Sequence, residues 1–181
     1  FVVTINACDE FYNKIDDSLT LIDVIATDPY NANNRSGLQL SQGTKELTGV
    51  NQITLMTAST YTKINATAAS DYTAASSDDI EVTAASAYRL QVILPGETAV
   101  QGKYNQTPYG KTGSPEIKTA GLPFTVTVNG TDQYWNKITV QPESSTTIKI
   151  EFNDSYASPP PDDALTEGTT KFSVTLITVS T

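Results

Sequence analysis

Apolar and polar residues alternate along much of this chain with a period of two, the spacing of a strand that buries one face. Phe1, Val3 and Ile5 alternate with Val2 and Thr4, and Phe124, Val126 and Val128 do the same far downstream. Each set predicts a strand with those residues turned inward. The pattern returns through Ile148, Ile150 and Phe152, through Ile80 and Val82, and through Leu90, Val92 and Leu94. From Leu19 to Ile25 the chain is more continuously apolar, which predicts a strand covered on both faces. The runs DPYNANNRSG (28–37) and SYASPPPDD (155–163) are dense in turn formers and predict loops. No window of a dozen residues carries a helical period, and TAASDYTAASSDD (67–79) reads as a loop. The chain is expected to be all-β.

A second regularity lies at longer range. FVVTINACDEFYNKID (1–16) and FTVTVNGTDQYWNKIT (124–139) share eight identities in sixteen positions, with the pairs Ile5/Val128, Phe11/Tyr134 and Tyr12/Trp135 conservative. The match resumes at Leu40-Ser-Gln-Gly43-Thr44 against Leu165-Thr-Glu-Gly168-Thr169, then at ITLMTAST (53–60) against VTLITVST (174–181). An internal repeat of this kind predicts two copies of one structural unit. The first copy is expected to span 1–94, with 79–94 as its last strands. Residues 95–123, rich in Gly and Pro, form a connector expected to pack partly along a sandwich. The second copy spans 124–181 and lacks the final strands, which leaves a sheet edge open. Two completions follow: a chain that continues past Thr181, or a donor strand from a neighbouring copy.

Composition narrows the chemistry. The 181 residues carry 11 basic and 20 acidic side chains, a net charge of −9, which repels a phosphate backbone and argues against nucleic-acid binding. Histidine is absent, removing the usual general base and the commonest transition-metal ligand. One cysteine, Cys8, allows neither an internal disulfide nor a cysteine-rich zinc site, and its counterpart in the other copy is Thr131. No apolar run is long enough for a membrane span. A strand at the very start favours a cut through a longer chain. No acidic pair recurs in a setting that suggests catalysis, so an enzyme is not expected.

The element Asp9-Glu-Phe-Tyr12-Asn13, matched by Asp132-Gln-Tyr-Trp135-Asn136, ends a strand with Asp and follows it with an Asn-containing turn. This strand-turn element resembles the bacterial immunoglobulin-like repeats of invasin and intimin type, as do the connector motifs LPGET (94–98), GKTG (110–113) and AGLPF (120–124). An aromatic pair stands where such modules often have Gly. The resemblance implies two immunoglobulin-like β-sandwiches in tandem, the second incomplete. It also implies a non-catalytic role outside the cell or on its surface: a stalk, adhesin shaft, surface layer or filament. Partners would then be adjacent repeats of the same chain or neighbouring copies. A carbohydrate-binding module is the alternative, with Phe11, Tyr12, Tyr134 and Trp135 as a sugar-stacking platform.

Other candidate sites compete with plainer roles. Asp9 and Asp132, with Asp16, Asp78, Asp79, Asp162 and Asp163 as further oxygen donors, are calcium candidates; capping of their own turns is the simpler role. Lys14 and Lys137, each beside its Asn, raise an intramolecular isopeptide bond, against which stands an ordinary exposed lysine. Five Asn-x-Ser/Thr sequons, at Asn34, Asn65, Asn105, Asn129 and Asn153, are candidate glycan attachment points. LPGET lacks the final residue of a sortase signal and reads as a turn.

Overall fold

The computed structural model describes residues 1–31, 33–140 and 146–179. Ser180 and Thr181, the end of the VTLITVST match, lie outside the described residues. The fold is all-β, made of several small antiparallel sheets, with one 3₁₀ turn at Gly49–Asn51. It divides into two compact units, Phe1–Thr83 and Ala84–Thr181.

In the first unit, β1 (Val3–Asn6) runs antiparallel to β4 (Thr44–Leu47), with Val3 opposite Leu47 and Asn6 opposite Thr44. A four-stranded sheet follows the order β3-β2-β6-β7, from β2 (Leu21–Ala26), β3 (Arg35–Gln39), β6 (Ile64–Ala68) and β7 (Ala75–Ser76). The strands β5 (Ser59–Thr62) and β8 (Ile80–Val82) form a separate pair. Ile22, Val24 and Ala26 on the inner face of β2 meet Leu40, Leu47, Ile53 and Ile64 in the core. Removing each large apolar side chain from water contributes roughly 1.5–3 kcal/mol, so this cluster holds the small sheets together.

The second unit is built around β12 (Phe124–Thr131), flanked by β15 (Thr169–Val174) on one edge and β9 (Arg89–Ile93) on the other. Val126, Val128, Phe172 and Val174 from the central pair close its core with Ile148 and Leu165. A hairpin of β10 (Glu97–Ala99) and β11 (Lys111–Gly113) and a short pair of β13 (Thr147–Ile148) and β14 (Asp163–Ala164) complete it.

Several expectations differ from this arrangement: the run 67–79, read as a loop, carries the end of β6 and all of β7, and the strand read through Ile148, Ile150 and Phe152 is confined to Thr147–Ile148. Residues 89–93 do not close the first unit: β9 pairs with β12, Val92 opposite Val128 and Leu90 opposite Gly130, so the first unit ends at Thr83 rather than at 94. The connector 95–123 and the expected second copy (124–181) accordingly lie in one unit that begins at Ala84. Next, β2 is not covered on both faces. Leu19, Leu21 and Ile25 are exposed while Ile22, Val24 and Ala26 are buried, so an apolar run folds as a one-sided strand. Finally, Phe1 is exposed rather than inward, whereas Val3 and Ile5 pack against the core.

Candidate functional site

The matched residues of the two units make matched bonds. Asp9 Oδ1 accepts the N–H groups of Phe11 (2.9 Å) and Asn13 (2.8 Å), and its Oδ2 accepts the Asn13 side-chain amide (3.0 Å). Asp132 Oδ1 accepts the N–H groups of Tyr134 (2.8 Å) and Asn136 (2.9 Å), and its Oδ2 the Asn136 amide (2.9 Å). This wrapped carboxylate holds Tyr12 at φ 63° and Trp135 at φ 69°, a backbone region that bulky side chains rarely occupy. Around each turn the ladder is equivalent. The Ala7 N–H donates to the Gly43 carbonyl and the Gly130 N–H to that of Gly168. A Cβ on Gly43 would stand 1.8 Å from the Ile15 carbonyl oxygen, and one on Gly168 1.8 Å from that of Ile138, so only glycine fits at either place.

Sequence reasoning missed a further matched pair. Asp28 accepts the N–H groups of Tyr30, Met56 and Thr57 and the Thr57 hydroxyl. Asp154 accepts the N–H groups of Tyr156, Ile177 and Thr178 and the Thr178 hydroxyl. Each carboxylate pins the segment that follows β4 or β15 to a loop more than twenty residues upstream. The signal was present as Asp-x-Tyr, at 28–30 and 154–156, inside stretches that otherwise read only as turns.

These bonds set the charge state. The Asn13 side chain and N–H hold the Asp9 carboxyl below its ordinary value. Burial pushes Asp28 up, but the Thr57 hydroxyl and the three N–H groups outweigh it and leave the group lowered. The N–H groups of Thr178 and Ile177 lower Asp154 strongly against a smaller effect of burial. A carboxylate wrapped by N–H donors presents positive dipole ends, the reverse of what a divalent cation needs. Asp9 and Asp132 are therefore turn caps. Among the described residues no cluster of three or more acidic or cysteine side chains is placed to hold a metal ion.

The surroundings of the two turns differ. In the second unit Asp132 is fully buried and Asn136 nearly so. The cover comes from β9 and the connector. The Ala85 N–H donates to Asp132 Oδ2 (2.9 Å), the Asn129 amide to Gln91 Oε1 (2.9 Å), and the Gln91 amide to the Gly110 carbonyl (2.6 Å). The Arg89 guanidinium lies 4.5 Å from the centre of the Trp135 ring, and Tyr104 meets Tyr134 edge-on at 5.3 Å. A Cβ on Gly110 would fall 2.5 Å from the Trp135 ring, so this glycine is the floor on which the indole rests. In the first unit Asn6, Asp9 and Asn13 are exposed, and Tyr12 is 90% exposed.

No protein-family model, curated protein or solved structure matches this chain. The functional reading consequently stands on these contacts. The aromatic platform is not assembled in the second unit, where Trp135 is covered by Arg89 and Tyr134 by Tyr104. Of the sequons, Asn34, Asn105 and Asn153 are exposed and Asn65 is half-buried. Asn129 is 6% exposed and bonded to Gln91, so it is no attachment point in the folded chain. Lys14 is exposed and donates to the Thr44 hydroxyl (3.3 Å), with no bond to an asparagine side chain among the described residues. Among the described residues no helix is long and apolar enough to cross a membrane.

Proposed function

We propose that the chain is a non-catalytic, extracellular structural segment of a filament, stalk, adhesin shaft or surface layer, built from two copies of an immunoglobulin-like module in tandem. The observation that carries this reading is the doubled frame. Strand, Asp-capped turn, obligate glycine and Asp clamp recur with the same bonds at residues 121 to 126 positions apart. A frame copied in its hydrogen bonds serves repetition and stiffness, the needs of a spacer. The recurring carboxylates favour it too. Held ionised by N–H donors, Asp9, Asp28 and Asp154 are in the wrong state to act as general acids.

The second unit is the incomplete copy in this reading. Its β13 pairs only with β14 among the described residues, whereas the matching β2 pairs with both β3 and β6. Completion comes either from the continuing chain or from a neighbour's strand. The carbohydrate-binding alternative draws less support, because Arg89 and Gly110 occupy the surroundings of Trp135 that a sugar ring would need.

Denaturing gels and mass spectrometry of the native material, with electron microscopy of the same sample, test the proposal. A mass far above 19.4 kDa with flanking F-x-V-T-x-N peptides supports a tandem shaft, and a mass near 19.4 kDa in an assembled polymer supports a strand-exchanged filament. A monomer of 19.4 kDa that remains dispersed in solution would sink the structural reading.

A further inference from the structure

We propose that the outer edge of β1 is a strand-acceptor site, and that its occupant is a segment of the 84–113 type carried by another unit of the same kind. The inference rests on reading the two units as copies of one module. It adds a second interface, on the unit that looked complete, and names the chemistry of its partner.

The template is within the chain. On β12, the strand Arg89–Ile93 adds antiparallel to Thr127–Thr131, and its flanks satisfy named polar groups of β12 and its turn. The Tyr88 N–H donates to the Thr131 carbonyl, the Ala85 N–H to Asp132 Oδ2, and Gln91 takes the Asn129 amide. Each of those groups has its counterpart on β1 or in the turn that follows it: the Cys8 carbonyl, Asp9 Oδ2 and the Asn6 amide. There the sheet contains β1 and β4 only, so β1 has no second neighbour among the described residues. The Asn6 amide has no acceptor among the described residues, while its carbonyl oxygen is fixed by the Thr44 hydroxyl (3.0 Å), as Asn129 is fixed by Thr169.

Space and surface agree. An open groove of about 600 Å³ runs along Ile5–Asp9, with Ile22, Ala66, Ala68 and Tyr72 on its other walls. Its apolar floor, rimmed by Asp9, Glu10 and Asp71, lies beside an open strand edge and suits an added strand that brings a cation such as Arg89: backbone bonds on one side, alternate side chains into the groove on the other. Residues whose counterparts are half-buried (Tyr134, Trp135) or buried (Ile138) in the second unit are exposed here. Phe11 and Tyr12 stand 74% and 90% exposed, and Ile15 is 37% exposed against 6% for Ile138. A segment bringing an Arg at the place of Arg89 and a glycine at the place of Gly110 would cover Tyr12 as Trp135 is covered.

The test uses the full chain and a synthetic peptide of residues 84–113, followed by amide hydrogen exchange. At about 1 mM peptide, the range of a weak specific contact, exchange is expected to slow at Thr4–Cys8 and at Asn13. A peptide carrying R89A and Q91A should bind about tenfold more weakly, the loss of a cation–π and a hydrogen-bond contact. Asn6→Asp keeps the oxygen that Thr44 holds and removes the amide donor. It should weaken binding by a similar factor while leaving the melting temperature of the chain unchanged within a few degrees. Unchanged exchange at Thr4–Cys8, slowing confined to Thr127–Thr131, or equal binding by Asn6→Asp would each overturn the proposal. A dispersed native monomer speaks against the structural role and not against this edge. A silent edge in an assembled native protein speaks against the acceptor alone.

Discussion

Asp28 shows how one side chain can fix a loop. The residue is 5% exposed and its carboxylate accepts four donors, two of them the adjacent N–H groups of Met56 and Thr57. Truncation leaves those donors in a water-poor site without acceptors, and an unsatisfied buried donor costs about 1–3 kcal/mol. Asp28→Ala is therefore expected to lose about 2–3 kcal/mol in urea unfolding. Asp154→Ala should destabilise in the same direction but less, because its partners Ile177 and Thr178 are exposed and water can replace the carboxylate. Equal and negligible losses would mean that the clamp only decorates the loop. At Gly110 the argument is steric. A methyl group there meets the indole at 2.5 Å, so Gly110→Ala must displace the only tryptophan of the chain. The expected readout is a shift in Trp135 fluorescence at moderate denaturant together with lost stability; an unshifted spectrum would contradict the packing.

At the scale of elements, β1 carries more of its unit than its four residues suggest. It supplies Val3 and Ile5 to the core and pairs with β4, while the 155–163 loop contributes little buried apolar surface. Deleting residues 1–6 should lower the melting temperature far more than trimming 155–163 to a short turn that spares Asp154, and comparable melting of the two variants would contradict the strand assignment. The strand itself was readable in the sequence because alternation over Val3–Ile5 has one structural meaning. So was the turn, since Asp and Asn four apart after a strand can both cap it. The partner of residues 89–93 was not readable. The alternation of Leu90, Val92 and Leu94 pointed to the wrong face: Leu90 and Val92 are exposed, and the buried residue is Gln91, held between Asn129 and Gly110, a polar side chain with nothing local to mark it. The Asp28 clamp was hidden for a similar reason, as its two halves lie 28 and 29 residues apart.

Over the whole molecule the carboxylates act together on pH. The chain has 20 acidic and 11 basic residues and no histidine, so no side chain with an ordinary value near neutrality titrates there. Asp9, Asp17, Asp28 and Asp154 are all held below the ordinary 3.8, Asp17 by the Thr20 hydroxyl first and then by N–H groups and the Tyr72 hydroxyl. Glu97, with burial opposing, is held below 4.5 by Lys111 at 2.7 Å and the Leu94 N–H. For a group lowered by folding, the folded state binds fewer protons than the unfolded one between the two values. Its stabilisation is therefore complete above the unfolded value and drains away as the pH falls through the folded one. Five such groups point the same way. As they protonate, the net charge also climbs from −9 toward +11, so repulsion among the 11 basic residues adds to the loss. Thermal melting should be nearly flat from about pH 5 to 8 and fall progressively below about pH 4. Asp28→Asn should flatten part of that fall, since it removes one of the titrating groups while lowering the plateau. A plateau that persists to about pH 2 would mean that these carboxylates gain nothing from their donors on folding, and the matched clamps would then be geometry without energetic weight.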